Sequence, residues 1–407
     1  MKILFIFLLW SLIVPVQSVH AQTISLNQMI EQGLRNSPEV ARVFNTMVEQ
    51  KSTALEVETL DNPSAEINFT GIEDDASRSI SIEIEQPLRR SNFGARQSYA
   101  DALRHTANAY QKAQSLEIIH SMTRSYISYW VLQEQEKLLS QKADYARKKQ
   151  ELIERAAKEG RMDVADAKIF KAEVLRLEEN LRVLRAKKIK GTANLLRMAG
   201  MDQQAFKALR PKTPAIPELQ LLSNLSGKEG GIRNLLESRK NLAEKRYQVA
   251  KQDAGFPEFS PRAVIERDFD EDSAAILFGV NIAIPIWNRN NAELARANAE
   301  LRLSQSNLNA LSEQNFVNVL AASYEQTIAT QASVTKYYNE ILPAWEEVQS
   351  IMDKKFNNGQ ASILDLFQMR ERITNVQNES LQTYIDSVEA RIELESLIGQ
   401  SLTDIKE

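Results

Sequence analysis

Residues 278–301, FGVNIAIPIWNRNNAELARANAEL, decide how this chain is built. The pattern begins two residues earlier: Ile276, Phe278, Val280, Ile282 and Ile284 share one parity, and Gly279, Asn281 and Ala283 the other. A period of two with one apolar face is the signature of a strand. Pro285 cannot donate to a ladder, so strand pairing should stop there. Beyond WNRNN (287–291) the residues turn to Ala, Leu, Glu and Arg for dozens of positions, and these favour helix. A strand thus feeds through a proline junction into a very long helix.

The same construction occurs earlier. Ile80, Ile82 and Ile84 alternate with Ser81, Glu83 and Glu85, followed by Pro87 and a helical run from about Ser91. Pro87 and Pro285 are 198 residues apart, and so are Pro63 and Pro261, each expected to open the preceding strand. Gly160 and Gly359 are 199 apart, as are Gly200 and Gly399, each closing a helix. Landmarks repeated in one register mean an internal duplication. Each copy reads helix, hairpin, long helix, turn, helix.

Working outward from there, residues 1–21 read as a signal peptide. One lysine, an apolar run and a small-residue ending at Val19-His20-Ala21 give the pattern, and the run is short for a membrane anchor. The chain has no cysteine, so an exported protein of this sequence has neither disulfides nor a lipidated thiol. The first repeat covers 22–199 with its hairpin at 64–86. A joint at 200–231 holds Pro211, Pro214 and Pro217 and reads as an irregular, partly helical belt. The second repeat covers 232–407 with its hairpin at 261–285. Pro38 should begin a fresh helical segment within 25–59. From Ser91 to Lys158 there is no proline, and Leu116, Ile119, Thr123, Tyr126 and Trp130 step by three and four. Such a helix would be about 100 Å long. In the second copy the long helix runs from about 290 to 356, where Pro343 should kink or divide it.

Four strands of this length and alternation suit a wall between lipid and water, but they equally suit a small sheet packed on soluble helices. Four cannot close a membrane barrel, and open edges are forbidden in lipid. Spanning strands would require several chains to share one barrel. A net charge of −4 gives no support for nucleic-acid binding.

The order of elements, the duplication and the two strand–proline–helix junctions resemble the TolC-like outer membrane efflux proteins over the whole mature chain. IPIWNRNNAELARANAEL at 284–301 is especially similar to the junction of the CzcC-like heavy-metal branch, with Asn288, Arg289 and Asn290 matching. Asn291-Ala292 stand where Gln-Gly is common, and QPLRRSNFGARQ at the first junction is a looser match. The resemblance implies a mainly α fold with a small β part. Three chains would build a twelve-stranded outer-membrane barrel continued by a periplasmic helical barrel. It further implies a passive duct, a periplasmic adaptor (membrane fusion protein) and an inner-membrane RND-type transporter as partners, and outer membrane lipid around the strands. The lipid-facing set would be Ile80, Ile82, Ile84, Ile276, Phe278, Val280, Ile282 and Ile284. Pro87 and Pro285 would mark the strand–helix junctions.

Nothing in the chain resembles catalytic or cofactor chemistry. His105 and His120 lack an HxxxH partner, and surface or packing roles explain them. No phosphate loop or nucleophile elbow is present, so no cofactor and no enzyme activity are expected. Gly160 and Gly359 suit the left-handed residue that ends a helix, and in the family such tips receive the adaptor. Asp166 and Asp365 each stand six residues past the turn glycine. One reading makes them solvated helical acids, the other a periplasmic gate. Gln368 replaces a further acid found in some relatives. Trp287 is placed for an interfacial belt. A metal-export duct, a duct for organic compounds or protein secretion, and a soluble periplasmic coiled-coil scaffold all remain open.

Overall fold

The computed structural model describes residues 22–71, 78–160, 163–201, 206–226, 231–256, 258–287 and 289–402. The signal segment 1–21, the tip of the first hairpin, Arg161 and Asn288 lie outside the described residues. Strand β1 (Gln22–Ile24) leads into helix α1 (Leu26–Asn36). Ser25 and Gln28 start α1 reciprocally: Gln28 N donates to the Ser25 hydroxyl and Ser25 N to Gln28 Oε1. Helix α2 (Pro38–Glu58) opens on its proline as expected, with Ser37 accepting from Glu39 N. Strands β2 (Ser64–Thr70) and β3 (Ser79–Glu85) follow, then a 3-10 turn at Arg90–Asn92. Helix α3 (Ala95–Lys158) runs 64 residues unbroken, about 96 Å at 1.5 Å per residue. Helix α4 (Val164–Ala199) returns, then β4 (Phe206–Ala208), α5 (Leu219–Ser226) and α6 (Ile232–Gly255). Strands β5 (Phe259–Asp268) and β6 (Ser273–Ile282) form the second hairpin.

The long helix of the second copy is divided more than its sequence predicts. Helix α7 (Asn291–Ala310) stops at Leu311, and Ser312 starts α8 (Glu313–Lys336) by accepting from Asn315 N. A π-turn at Tyr337–Ile341 then precedes α9 (Leu342–Asn357). The π-turn is the expected effect of Pro343: the ring removes one N–H, and Leu342 N reaches back to Tyr337 O instead. The Ser312 break was unexpected. Helix α10 (Ile363–Ile398) closes the described chain.

Contacts sort these elements into two units, Met1–Asn36 with Ser125–Lys212, and Ser37–Arg124 with Thr213–Glu407. In the first unit, β1 and β4 form a parallel pair, Gln22↔Phe206 to Ile24↔Ala208, with β4 inside the stretch expected to be a belt. Helix α3 clasps the pair. The Tyr126 hydroxyl lies 2.6 Å from Ile24 O and accepts from Leu209 N at 2.8 Å. Gln133 imitates a strand residue, donating to Ala208 O and accepting from Ala208 N, both at 3.1 Å. Val174, Leu177 and Leu181 of α4, spaced by three and four, are buried. Glu136 of α3 accepts from Lys188 at 2.7 Å and Arg185 at 3.0 Å of α4.

In the second unit, the sheet has the order β2-β3-β5-β6, every neighbour antiparallel. Its largest apolar cluster joins Leu222, Phe316, Leu320, Leu394, Leu397, Ile398 and Leu402 from α5, α8, α10 and the C-terminal turn. A smaller one joins Ala54, Ala100 and Leu103 where α2 meets α3. Pro261 lies inside β5 rather than opening it, as the third of its ten residues. Its carbonyl accepts from Gln86 N, so the missing N–H costs the ladder one bond at its end.

Candidate functional site

The register of the sheet sorts its side chains into rows. Ile67, Ile82, Ile265 and Ile276 lie across one row, and Ala65, Ile84, Ala263 and Phe278 across the next. The same face continues through Val280 to Ile282, which pairs with Phe259 at the last rung of the β5–β6 ladder. Every strand residue of the predicted lipid-facing set therefore shares one face. Phe278 is 84% exposed and Ile276 66%, while Ile80 is half-buried. Ile284 lies beyond the ladder, contrary to its expected place in the strand. Toward the hairpin tip the apolar row ends at Arg267, which pairs with Asp272 at 2.8 Å. Ten residues at about 3.4 Å each, tilted about 45°, give about 24 Å of height, the size of a membrane barrel's apolar band.

The opposite face is largely polar, with Val264 and Leu277 paired within it. Arg262 donates to Glu83 at 3.2 Å and Asn281 to Glu85 at 3.3 Å. Gly279 makes room for the first contact, since a Cβ there would stand 3.0 Å from Arg262 Nε. Among the described residues, β2 and β6 each have one edge without a strand partner.

At the junctions, Pro87 does not end pairing as a ladder-breaking proline should. Leu88 and Phe259 exchange backbone bonds at 2.9 and 3.0 Å. Arg89 then donates to Glu258 at 2.8 Å, tying the first junction to the start of β5. Past β6, Ala283 N still reaches Glu258 O, and Pro285 follows the end of the ladder. Asn290 takes a left-handed backbone, φ 57°, and caps α7 with its carbonyl on Leu294 N. Pro285, exposed Arg289 and Asn290 line a cavity of about 310 Å³ with Arg89, Asp253 and Glu258. Trp287 is 95% exposed.

The two helical turns are built alike, each described within its own unit. Gly160 has φ 68° and Gly359 φ 73°, and each N–H reaches the carbonyl three residues back. At the second turn Gln360 N also bonds Lys355 O, completing a Schellman motif. A Cβ at either glycine would meet nothing within 4 Å. Asp163 and Ser362 are the N-caps of the returning helices, and Asp166 and Asp365 both sit in the first turn, exposed. Asp365 closes a capping box: it accepts from Ser362 Oγ at 2.6 Å and Ser362 N at 3.0 Å. Those bonds hold its carboxyl below the usual carboxylate range. Farther along α10, Arg370 pairs with Asp353 on α9 at 3.1 Å, and Arg372 is exposed.

One buried polar group escaped the sequence reading. His120, 1% exposed, lies 3.0 Å from Glu395, itself 3% exposed, and its other ring nitrogen is 3.3 Å from Ser396 Oγ. His120 therefore packs rather than faces solvent, while His105 is exposed. Among the described residues no group of three or more His, Cys, Asp or Glu could hold a metal ion, and no helix is long and apolar enough to cross a membrane.

Comparison with known proteins agrees with this architecture. Residues 232–400 match the family described as Outer membrane efflux protein. The cobalt-zinc-cadmium resistance protein CzcC of Cupriavidus metallidurans is 23% identical over 326 residues, 78% of this chain and 77% of that one. The outer membrane protein VceC of Vibrio cholerae superposes with a TM-score of 0.72 at 17% identity, covering 93% of this chain and 96% of its own. CusC superposes at 0.70 and 16% identity over 94% of each chain. The family match lies in the second repeat, and the fold shared with these outer membrane channels extends over nearly the whole chain.

Proposed function

We propose that this chain is the outer-membrane duct of a tripartite efflux system, and that it carries heavy-metal cations delivered by an RND-type pump and a periplasmic adaptor. The observation that carries the reading is the sheet: four strands with one exposed apolar face, one largely polar face and two open edges. Open edges are not stable in lipid, so the edges must pair with other copies. Three copies give twelve strands, a workable barrel, and turn the polar face toward a water-filled lumen. The similarity to CzcC supports metal cargo over organic compounds. A soluble scaffold would leave the apolar sheet face in water, at a cost of about 25 cal/mol for each Å². Gly160 and Gly359 serve as the adaptor-docking turns, and Asp166 and Asp365 as the periplasmic gate.

The experiment pairs cysteines along the edges, at Ser64 or Asn68 of β2 with Ala275 or Asn281 of β6, in a cysteine-free background that the native chain already supplies. Oxidised membranes should yield a cross-linked ladder ending at three copies. A ladder that stops at one or two copies removes the shared barrel. Cells lacking the chain should become sensitive to cobalt, zinc or cadmium, and unchanged metal tolerance with altered tolerance to organic compounds would reassign the cargo.

A further inference from the structure

The apolar stripe of the sheet does not stop with its ladder. Past Ile282 the exposed run continues through Ile284, Ile286 and Trp287, at the end where β3 and β6 hand over to the long helices. Ala283 N is still bonded to Glu258 O, so Ile284 leaves the sheet beside the start of β5. A turn around Pro285 follows, closed by Ile286 N on Ile284 O at 2.9 Å, and leaves both isoleucines and Trp287 in the open. A contiguous exposed apolar patch of this kind marks a surface that something covers.

Charge gathers directly beside this run. The cavity of about 310 Å³ at the junction is lined by Arg89, Asp253, Glu258 and Arg289, two charges of each sign, together with Ile284 and Pro285. That volume reaches the range of about 300–1,000 Å³ seen for small-ligand sites and far exceeds the about 10–15 Å³ that one water needs. Only part of the charge is met internally. Arg89 Nε donates to Glu258 at 2.8 Å, and Asp253 Oδ1 accepts from Ser91 N at 3.3 Å. Asp253 Oδ2 and the exposed Arg289 guanidinium have no hydrogen bond or ion pair among the described residues. One acceptor and one fork of donors are thus left to a ligand.

We propose that this junction binds a phospholipid with an ethanolamine headgroup, drawn from the membrane leaflet nearer the helices. The inference rests on the outer-membrane duct reading, which puts the sheet in lipid. The apolar band then ends at this level, where headgroups lie and where a tryptophan is favoured. Ile284, Ile286 and Trp287 lie against the acyl chains. Arg289 takes the phosphate, to which a guanidinium offers paired donors. Asp253 takes the ammonium, whose N–H groups a carboxylate accepts. A phosphoglycerol headgroup has no ammonium and brings its negative charge to Asp253 and Glu258 uncompensated, so the balanced lining selects the zwitterion.

The test uses the full chain extracted from membranes in detergent and native mass spectrometry with added lipid. Dioleoylphosphatidylethanolamine should bind about two- to fivefold more tightly than phosphatidylglycerol of the same chains, the worth of one partly exposed ion pair. Asp253→Asn keeps an acceptor for Ser91 N, and it should erase that preference while binding persists. Arg289→Gln should weaken both lipids, and Arg289→Lys should restore them in part. Soluble phosphoethanolamine should bind far more weakly than the lipid, and equal binding would identify a pocket for small phosphates and overturn the proposal. A neighbouring copy whose side chains fill the cavity would overturn it as well. Absence of the chain from membranes overturns the duct reading and the lipid site together, whereas membrane-extracted chain indifferent to headgroup overturns the lipid site alone.

Discussion

Asp166 and Asp365 stand in the first turn of their helices, where an acid is favoured by the exposed N–H groups whether or not it lines a pore. Their repetition across the two copies is therefore explained locally, and a gating role needs its own test. In planar bilayers Asp166→Asn with Asp365→Asn should weaken cation preference and change opening frequency. Unchanged selectivity would leave both as helix-start acids. For Asp365 the sign of the pH effect is fixed by its lowered pKa: its contribution is present above the ordinary carboxylate range and is lost as pH falls through the lowered value. Hydrogen exchange at 363–366 should thus accelerate only in strongly acidic solution, and Asp365→Ala should bring that acceleration to neutral pH. The glycines make a second contrast. Gly160→Ala meets only the left-handed strain of about 1–2 kcal/mol, because nothing lies near its Cβ. Gly200→Ala adds a Cβ 2.4 Å from Asn36 O, so its Tm should fall further, and equal losses would mean that α1 yields freely. Both glycines were legible as helix ends, but the close approach at Gly200 was not, since its partner lies on another helix.

At the level of elements, the strands were legible because a period of two survives in any context, and the register then lines their isoleucines into rows. The row through Ile82 lies in the middle of the sheet, whereas Ile282 lies at the end of its ladder. In a membrane barrel a cation costs about 2–4 kcal/mol at the midplane and about 0–1 near the interface. Ile82→Lys should therefore block trimer assembly, Ile282→Lys should lower its yield modestly, and Asn281→Lys on the polar face should be tolerated. Heat-resistant trimers on gels report all three, and equal yields would remove the lipid-facing assignment. The Ser312 break was hidden by its neighbours. No glycine or proline marks it, and a serine within helix formers shows its capping role only through the hydroxyl on Asn315 N. The division at Pro343 was readable because proline removes a donor wherever it stands.

Over the whole molecule, what the sequence conceals are the contacts between distant stretches, for a residue pattern carries no trace of a partner so far along the chain. His120 meets Glu395 across 275 positions. Acid should act over similar distances. Lys188 and Arg185 hold the Glu136 carboxyl below its ordinary range. The stability this pairing provides is present at neutral pH and disappears as pH falls through the lowered value. Glu136→Gln should therefore flatten the acid limb of an unfolding curve, and an unchanged limb would show the contact to be solvated. The β1–β4 pair sets a schedule as well as a structure. A chain synthesised from its N-terminus presents Gln22 a full 184 residues before Phe206. At about 5–20 residues per second, that is on the order of 10–40 s. Through that interval β1 waits without its neighbour, and Tyr126 can reach Ile24 but has no Leu209 to close on. The fold thus has a clock, and the first strand made is among the last to find its place.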